Sequence, residues 1–169
     1  AAEQPRQLGR LADASRTAVR HMNDVVWGLD ARHDSVPELL DRLRDHAYEV
    51  LPPKGLEVDF AADLAVEATA LPLPARQALY LIYKEALHNV VKHAAGATLV
   101  RVQLAVALGR LVLTVRDDGR VPTPATRNGN GNGHGQGNMA RRAAAVGGRY
   151  HGGPAAGGGY EVVATVPVA

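Results

Sequence analysis

The sequence predicts an α+β fold, a two-layer α/β sandwich in which helices cover one face of a sheet, preceded by a separate N-terminal helix. Three observations support this prediction. Helical periodicity dominates the first half of the chain, strand alternation dominates the second half, and short turns join several strands into hairpins. A doubly wound parallel sheet would instead alternate strands and helices along the whole chain.

The first 33 residues contain a stripe of small and apolar side chains at alternating steps of three and four, which is typical of a helix packed in a bundle or coiled coil. Such a stripe needs a partner. From periodicity alone the partner is either the same domain or the second half of a dimerisation hairpin. The stripe consists of Leu8, Leu11, Ser15, Ala18, Met22, Val25 and Leu29.

Residues 34–169 are predicted to form the second domain. Ser35 to Glu38 reads as a capping box that begins an amphipathic helix, and Pro52-Pro53 ends it. Alternation over Leu56–Phe60 predicts a short strand with one buried face. A Pro-bounded loop around Leu71–Pro74 follows, and a long amphipathic helix is predicted from Pro74 to about Ala95.

The remaining chain alternates between strands and one more helix. Val100–Leu108 and Leu111–Val115 predict a hairpin with its turn at Gly109-Arg110. The Gly- and Asn-rich residues 128–137 carry almost no side chains for a core, so we expect a mobile lid or linker there. A helix over Met139–Val146 and a closing hairpin from Arg149 to Val166 complete the prediction.

Composition restricts the possible classes of function. The net charge of +2, with one Trp and one Phe, gives little support to direct nucleic-acid binding. The absence of cysteine excludes disulfides and thiolate ligands. No apolar run reaches the roughly 20 residues of a membrane span, so we expect a cytoplasmic segment without membrane contact. Because the chain begins without Met, we expect it to be a fragment of a longer protein. A membrane anchor in another part of that protein would be compatible with this expectation.

Three elements carry candidate chemistry. Glu85, Asn89 and Lys92 share one face of the long helix, although a solvated polar face is the more common meaning of such a pattern. The predicted strand Leu111–Val115 runs straight into Arg116-Asp117-Asp118-Gly119, which places a carboxylate, Asp117, at a strand end beside a flexible glycine. Glycines 133, 135 and 137 precede a helix expected to begin at Asn138-Met139, which offers backbone N–H groups to phosphate. Gly/Asn repeats alone are more often linkers.

Together these segments resemble the sequence boxes of sensor histidine kinases. Lys84–Ala94 resembles the N box, Asp117–Gly119 the G1 box, and Gly133–Ala143 followed by Val146–Gly148 the G2 box. The last is similar to the subgroup whose response regulators carry helix-turn-helix domains. The resemblance implies the ATPase fold shared with gyrase, heat-shock chaperones and mismatch-repair ATPases, and a histidine kinase that uses ATP and Mg²⁺.

The resemblance also implies residue roles. Asn89 would bind Mg²⁺, Asp117 would accept a hydrogen bond from the adenine amine, and Gly119 would let the backbone approach the base. Glu85 would orient or deprotonate the attacking group, and Lys92 would offset phosphate charge. Further implied nucleotide-binding residues are His93, Gly133, Gly135, Gly137, Asn138 and Met139.

Met22–Asp30 is similar to the second helix of a dimerisation and phosphotransfer hairpin, which implies self-association through the N-terminal helix and a response regulator with a receiver domain as partner. The acceptor histidine of that subgroup lies on the preceding helix and is usually followed by an acidic residue. His33 has such a neighbour but is predicted to lie in a loop, and His21 lacks one. We therefore expect the acceptor to lie outside this chain.

The sequence departs from the family pattern at three places. Arg120-Val121 replaces a glycine after the G1 box, Gln136 replaces an apolar residue, and Tyr160 replaces a small hydroxyl residue. These changes predict a stiffer adenine pocket, altered anchoring of the lid and loss of one polar contact. Two alternatives remain open, namely a serine kinase of the same superfamily and a nucleotide-binding switch without transfer.

Overall fold

The computed structural model describes residues 35–120 and 132–169, and residues 132–134 by their backbone alone. The predicted N-terminal helix, with His21 and His33, lies outside the described residues, as does Val121. The boundary proposed between residues 33 and 34 therefore stays a prediction. No helix in the part of the chain that the structure describes is long and apolar enough to cross a membrane.

The elements follow the predicted order. They are α1 (Val36–Val50), a 3₁₀ turn (Pro52–Lys54), β1 (Glu57–Ala62), α2 (Leu64–Glu67), α3 (Leu73–His93), β2 (Leu99–Ala107), β3 (Arg110–Asp117), α4 (Asn132–Ala145), β4 (Arg149–Pro154) and β5 (Tyr160–Pro167).

Helix α1 begins where the capping box predicted. The Ser35 hydroxyl accepts a hydrogen bond from the Glu38 amide at 3.3 Å, and the Ser35 amide donates to the Glu38 carboxylate at 3.5 Å. These bonds satisfy amide groups that the first helical turn leaves without a partner inside the helix. Leu39 and Leu43 are fully buried on the inner face. Pro52 starts the 3₁₀ turn that follows the helix.

The five strands form one mixed sheet in the order β1-β2-β3-β5-β4. β2 pairs with β3, and β4 with β5, in antiparallel register, which confirms the two predicted hairpins. β3 also pairs with β5 in antiparallel register, a pairing that the sequence did not predict. β1 pairs with β2 in parallel, with Glu57 opposite Leu99, and the sequence did not predict this pairing. Parallel neighbours need a long connection, and α3 lies within the connection between them.

Helix α3 contributes most of the helical side of the core. Its buried residues follow a helical spacing, and Tyr83 donates a 2.7 Å hydrogen bond to the Leu43 carbonyl on α1. Burial, with a contribution from Tyr80, raises the pKa of Tyr83 well above its usual range. The sheet meets these helices with alternate buried residues such as Val102, Leu113 and Ala164. This arrangement confirms the predicted two-layer α+β sandwich.

One local prediction was wrong. Helix α4 begins at Asn132, so Gly133, Gly135 and Gly137 lie in its first turns and not before a helix at Asn138-Met139. Glycine lowers helix propensity by about 1 kcal/mol relative to alanine, so propensity alone favours a loop here. Packing of the helix start against α3 outweighs that cost. The sequence analysis made no prediction for the short helix α2, which has Asp63 at its N-cap position.

Candidate functional site

A cleft lies between the second half of α3, the end of β3, the start of α4 and the strands β4 and β5. The cleft is partly open to solvent, and its lining combines apolar side chains with a few polar and charged groups, as is common in small-molecule sites. The lining residues are Glu85, Ala86, His88, Asn89, Val90, Lys92, His93, Ala94, Val115, Asp117, Arg120, Gly135, Gln136, Tyr150, Tyr160 and Val162.

The cleft brings together six of the residues predicted from sequence, namely Glu85, Asn89, Lys92, His93, Asp117 and Gly135. The other predicted residues lie elsewhere. Gly119 is buried behind Asp117, Gly137 and Asn138 are exposed on α4, and Met139 is 1% exposed within the core. Gly133 lies at the start of α4, where the backbone alone is described.

Glu85 and Asn89 lie one turn apart on α3 and face the start of α4. The absence of a side chain at Gly135 permits this close approach, because a Cβ atom there would lie 2.7 Å from Glu85 Oε1 and 4.0 Å from Asn89 Nδ2. A carboxylate and an amide therefore lie directly beside the first turns of the glycine-rich helix. The positive end of that helix favours negative charge at this position.

Asp117 is the last residue of β3, and it is 4% exposed. Its Oδ1 atom accepts a 2.8 Å hydrogen bond from the Gly119 amide. Burial raises the pKa of this carboxyl group, an effect that the amides of Gly119 and Tyr160 partly offset. The result is a carboxylate held in a fixed orientation at the wall of the cleft, where it can accept a hydrogen bond away from bulk water.

Asp118 has a different environment. Its Oδ1 accepts from the amides of Thr98 and Leu99 at 2.7 and 2.9 Å, and its Oδ2 accepts from the Thr98 hydroxyl at 2.7 Å. These bonds, first of all the one from the Leu99 amide, lower the pKa of Asp118 to about 2. Asp118 therefore fastens the end of β3 to the start of β2, a role that the sequence did not reveal.

Cationic groups line the cleft near the end of α3. Lys92 and Arg120 contribute an ammonium and a guanidinium group, and His88 and His93 add two imidazoles. Burial lowers the pKa of His93, and the neighbouring Lys92 and His88 lower it further, so His93 is neutral at pH 7. His88 was not predicted to line the site, whereas Arg120 was expected at the adenine pocket only as a replacement for a glycine. A cleft with this composition suits a ligand that is anionic in one part and hydrogen-bonding in another.

Three polar side chains at the wall of the cleft were not predicted as site residues. Gln136 Nε2 donates a 2.5 Å hydrogen bond to the Tyr160 hydroxyl. The Tyr150 hydroxyl is buried and has no hydrogen-bond partner within the described residues. Both phenol oxygens lie over Gly152, where a Cβ atom would be 2.5 Å from that of Tyr150 and 3.1 Å from that of Tyr160. Strand alternation places both tyrosines on the core-facing side, a signal present in the sequence.

The turn between β4 and β5 packs directly behind Asp117. Gly159 has φ of 81°, and a Cβ atom there would lie 1.8 Å from the Asp117 carbonyl oxygen, so only glycine fits without a backbone shift. Arg116 donates to the carbonyl groups of Ala156 and Gly158 at 2.5 and 3.3 Å. The conformation of this turn and the position of Asp117 are therefore coupled.

The sequence matches the model of one known protein family. The family model of histidine kinase-, DNA gyrase B- and HSP90-like ATPases matches residues 75–169, more than half of the chain. The chain belongs to this family of ATPases. The matched segment contains the second half of the fold and every residue that lines the cleft. No curated protein matches the chain.

Solved structures of histidine kinases share the fold. The histidine kinase domain of the blue-light activated kinase EL346 from Erythrobacter litoralis has a TM-score of 0.60 and 23% identity, over 76% of this chain and 60% of that one. Full-length ShkA, solved with AMPPNP, has a TM-score of 0.64 and 23% identity, over 100% of this chain and 40% of that one. The mycobacterial sensor histidine kinase MprB has a TM-score of 0.56 and 18% identity, over 79% of this chain and 95% of that one. The chain thus spans well under two thirds of the first two proteins.

Proposed function

We propose that the described domain binds ATP with Mg²⁺ and transfers the γ-phosphoryl group to a histidine on a dimerisation helix, as the catalytic domain of a two-component sensor histidine kinase. The observation that carries this proposal is the pairing of two groups across one cleft. Asp117 offers a buried hydrogen-bond acceptor at one wall, and Glu85 and Asn89 face the glycine-rich start of α4 at another. Membership of the ATPase family supports the choice of ATP.

Asp117 would recognise the base. An ionised carboxylate accepts hydrogen bonds and donates none, so it suits the exocyclic amine of adenine and opposes a carbonyl at the same position. The Gly119 amide already holds one of its oxygen atoms. Gly119 leaves no room for a side chain, because a Cβ atom there would lie 2.9 Å from Asp117 Oδ1. The carboxylate therefore keeps one orientation, which favours selective recognition.

Asn89 and the cations would hold the phosphates. Magnesium prefers oxygen ligands, keeps several waters and is usually shared with the phosphates of a nucleotide. The residues fit such an ion in kind, because the side chain of Asn89 carries an amide oxygen and Glu85 places a carboxylate beside the helix start. The bound ion supplies charge neutralisation during transfer.

Glu85 would act on the attacking group. In the proposed reaction a nitrogen of the acceptor imidazole bonds to the γ-phosphorus while the bond from that phosphorus to the β,γ-bridging oxygen breaks, which leaves ADP. Glu85 accepts the proton that the imidazole loses. Lys92 offsets phosphate charge, and Gly133 and Gly135 expose free backbone amides of the first turn of α4 to the phosphates. Gly137 lies beyond the four residues whose amides lack a helical partner.

The wider roles rest on the resemblance to histidine kinases. The phosphorylated histidine would pass its phosphoryl group to the receiver domain of a response regulator, of the subgroup with helix-turn-helix domains. Self-association through residues 1–33 would bring the acceptor helix and this domain together. The AMPPNP complex of ShkA supports an adenine nucleotide as the ligand of this fold.

Calorimetric titration of ATP, with and without Mg²⁺, tests the proposal on the full chain. We expect Mg²⁺-dependent binding that Asn89→Ala and Asp117→Ala each abolish. Asp59→Asn is the matched control, because Asp59 is an exposed carboxylate on β1 that pairs with Arg101 outside the cleft. Absence of ATP binding by the unaltered chain would contradict the proposal. Binding without transfer to an added acceptor hairpin would favour the nucleotide switch.

A further inference from the structure

Gln136 and Tyr160 connect two parts of the fold that are 24 residues apart in sequence. Gln136 lies in the first turns of α4, and Tyr160 is the first residue of β5. Their side chains meet at 2.5 Å in a part-buried position at the wall of the cleft. A short hydrogen bond in such a position restricts the relative motion of the two elements that carry it.

The start of α4 is held at two consecutive residues. Gly135 lies against the Glu85 carboxylate of α3, with 2.7 Å between Oε1 and the position of a Cβ atom. Gln136 is bonded to Tyr160 on β5. The start of α4 therefore contacts both layers of the fold. Gly135 contacts the helical layer at α3, and Gln136 contacts the sheet at β5.

Tyr160 in turn is tied to Asp117. It follows Gly159, whose Cα packs against the Asp117 backbone so closely that a Cβ atom would lie 1.8 Å from the carbonyl oxygen. The Tyr160 amide is one of the groups that lower the pKa of the Asp117 carboxyl. A continuous set of contacts therefore runs from Asp117 through Tyr160 and Gln136 to the start of α4.

We infer that Gln136 and Tyr160 are a positioning pair that sets the distance between the base-binding carboxylate and the phosphate-binding helix start. This inference rests on the proposed function, in which Asp117 receives the base and α4 receives the polyphosphate. A nucleoside triphosphate contacts both ends of the cleft, whereas a monophosphate contacts mainly the base end. The pair therefore selects for the length of the phosphate chain.

The test compares ATP and AMP affinity in Gln136→Leu, Tyr160→Phe and the double variant of the full chain. Each single change removes the whole hydrogen bond, so we expect the ratio of ATP to AMP affinity to fall roughly three- to tenfold in each. The double variant should lose no more than one single variant does, because the same bond is removed.

Two control variants separate this role from general effects of the substitutions. Gln103→Leu changes an exposed glutamine on β2, and Tyr48→Phe changes a tyrosine that is 52% exposed. Both should keep the ATP to AMP ratio. Gln136→Asn keeps the amide but shortens the side chain, so it should lower the ratio of ATP to AMP affinity as Gln136→Leu does. This variant replaces Gln136→Leu in the test if the apolar change prevents folding.

Other outcomes would overturn the inference. An equal loss of ATP and AMP affinity would assign the pair a general structural role, and a gain in ATP affinity would mean that the bond opposes binding. Unchanged ratios in all variants would leave ATP binding intact and remove the positioning role. Failure of the unaltered chain to bind either nucleotide would count against the proposed function itself, which makes the two failures distinguishable.

Discussion

Asp117 and Asp118 are adjacent in sequence, yet their carboxyl groups have opposite environments. Asp117 is 4% exposed, and burial raises the pKa of its carboxyl group. Asp118 is exposed, and three hydrogen bonds from Thr98 and Leu99 accompany a lowering of its pKa to about 2. The first carboxylate destabilises the fold when it ionises and is available to a ligand, and the second stabilises the fold.

Asp117→Asn is expected to separate stability from binding. The raised pKa means that the folded state holds the Asp117 proton more tightly than the unfolded state, so ionisation at higher pH costs stability. The amide keeps an acceptor for the Gly119 amide and has no charge to bury. Urea unfolding at pH 7 should give equal or higher stability, while calorimetry should show at least a roughly tenfold weaker ATP affinity, about 1.4 kcal/mol. Lower stability at unchanged affinity would contradict the assignment.

Asp118→Asn is expected to act in the reverse sense. Since the pKa of Asp118 is lowered to about 2, its carboxylate contributes stability above its unfolded pKa near 4 and loses this contribution as pH falls toward 2. The variant should be less stable by about 1 kcal/mol at pH 7. The difference should shrink between pH 4 and pH 2 in urea titrations. A pH-independent difference would argue against the charge as its origin, and Asp59→Asn provides the surface control.

Tyr150→Phe and Tyr83→Phe form a matched pair of hydroxyl deletions. The Tyr83 hydroxyl donates to the Leu43 carbonyl at 2.7 Å, whereas the Tyr150 hydroxyl has no hydrogen-bond partner in the described part of the chain. Tyr83→Phe should cost about 1–2 kcal/mol because the buried carbonyl loses its donor. Tyr150→Phe should be neutral or stabilising by up to about 1 kcal/mol. Equal losses in chemical denaturation would show that a group such as an ordered water satisfies Tyr150.

Gly159→Ala should damage both the fold and the site. Gly159 and Gly55 both have positive φ, 81° and 75°, but no atom lies within 4 Å of a Cβ position at Gly55. Gly55→Ala should therefore cost only the backbone strain, about 1–2 kcal/mol. Gly159→Ala adds a clash with the Asp117 carbonyl and should be more destabilising by thermal unfolding, with loss of ATP binding. Similar melting temperatures for the two variants would contradict this geometry.

The sequence was informative wherever one local rule decided the structure. The capping box at Ser35 placed the start of α1, and strand alternation placed the hairpin around Gly109. The spacing of Glu85, Asn89 and Lys92 put them on one face, and the structure places all three in the cleft. These features depend on neighbours within a few residues, which a sequence displays directly.

Features that depend on distant contacts could not be predicted. The glycines near Gly135 favour a loop by propensity, and the contact with Glu85 on α3 becomes visible in three dimensions alone. The departures at Gln136 and Tyr160 looked independent in sequence, although their side chains bind each other. In the same way the sequence singled out Asp117 in the DDG segment and gave no role to Asp118, which is engaged by residues 19 and 20 positions earlier.

The parallel pairing of β1 with β2 has a consequence for how the domain folds. Glu57 and Leu99 can meet only after the chain between them has compacted, and α3 makes up half of that chain. Closing such a long loop is entropically unfavourable until the helix has docked. Strand β1 should therefore acquire protection from amide hydrogen exchange no earlier than α3, the helix that carries Glu85 and Asn89. The complete sheet would then form only together with the helix that faces the ligand.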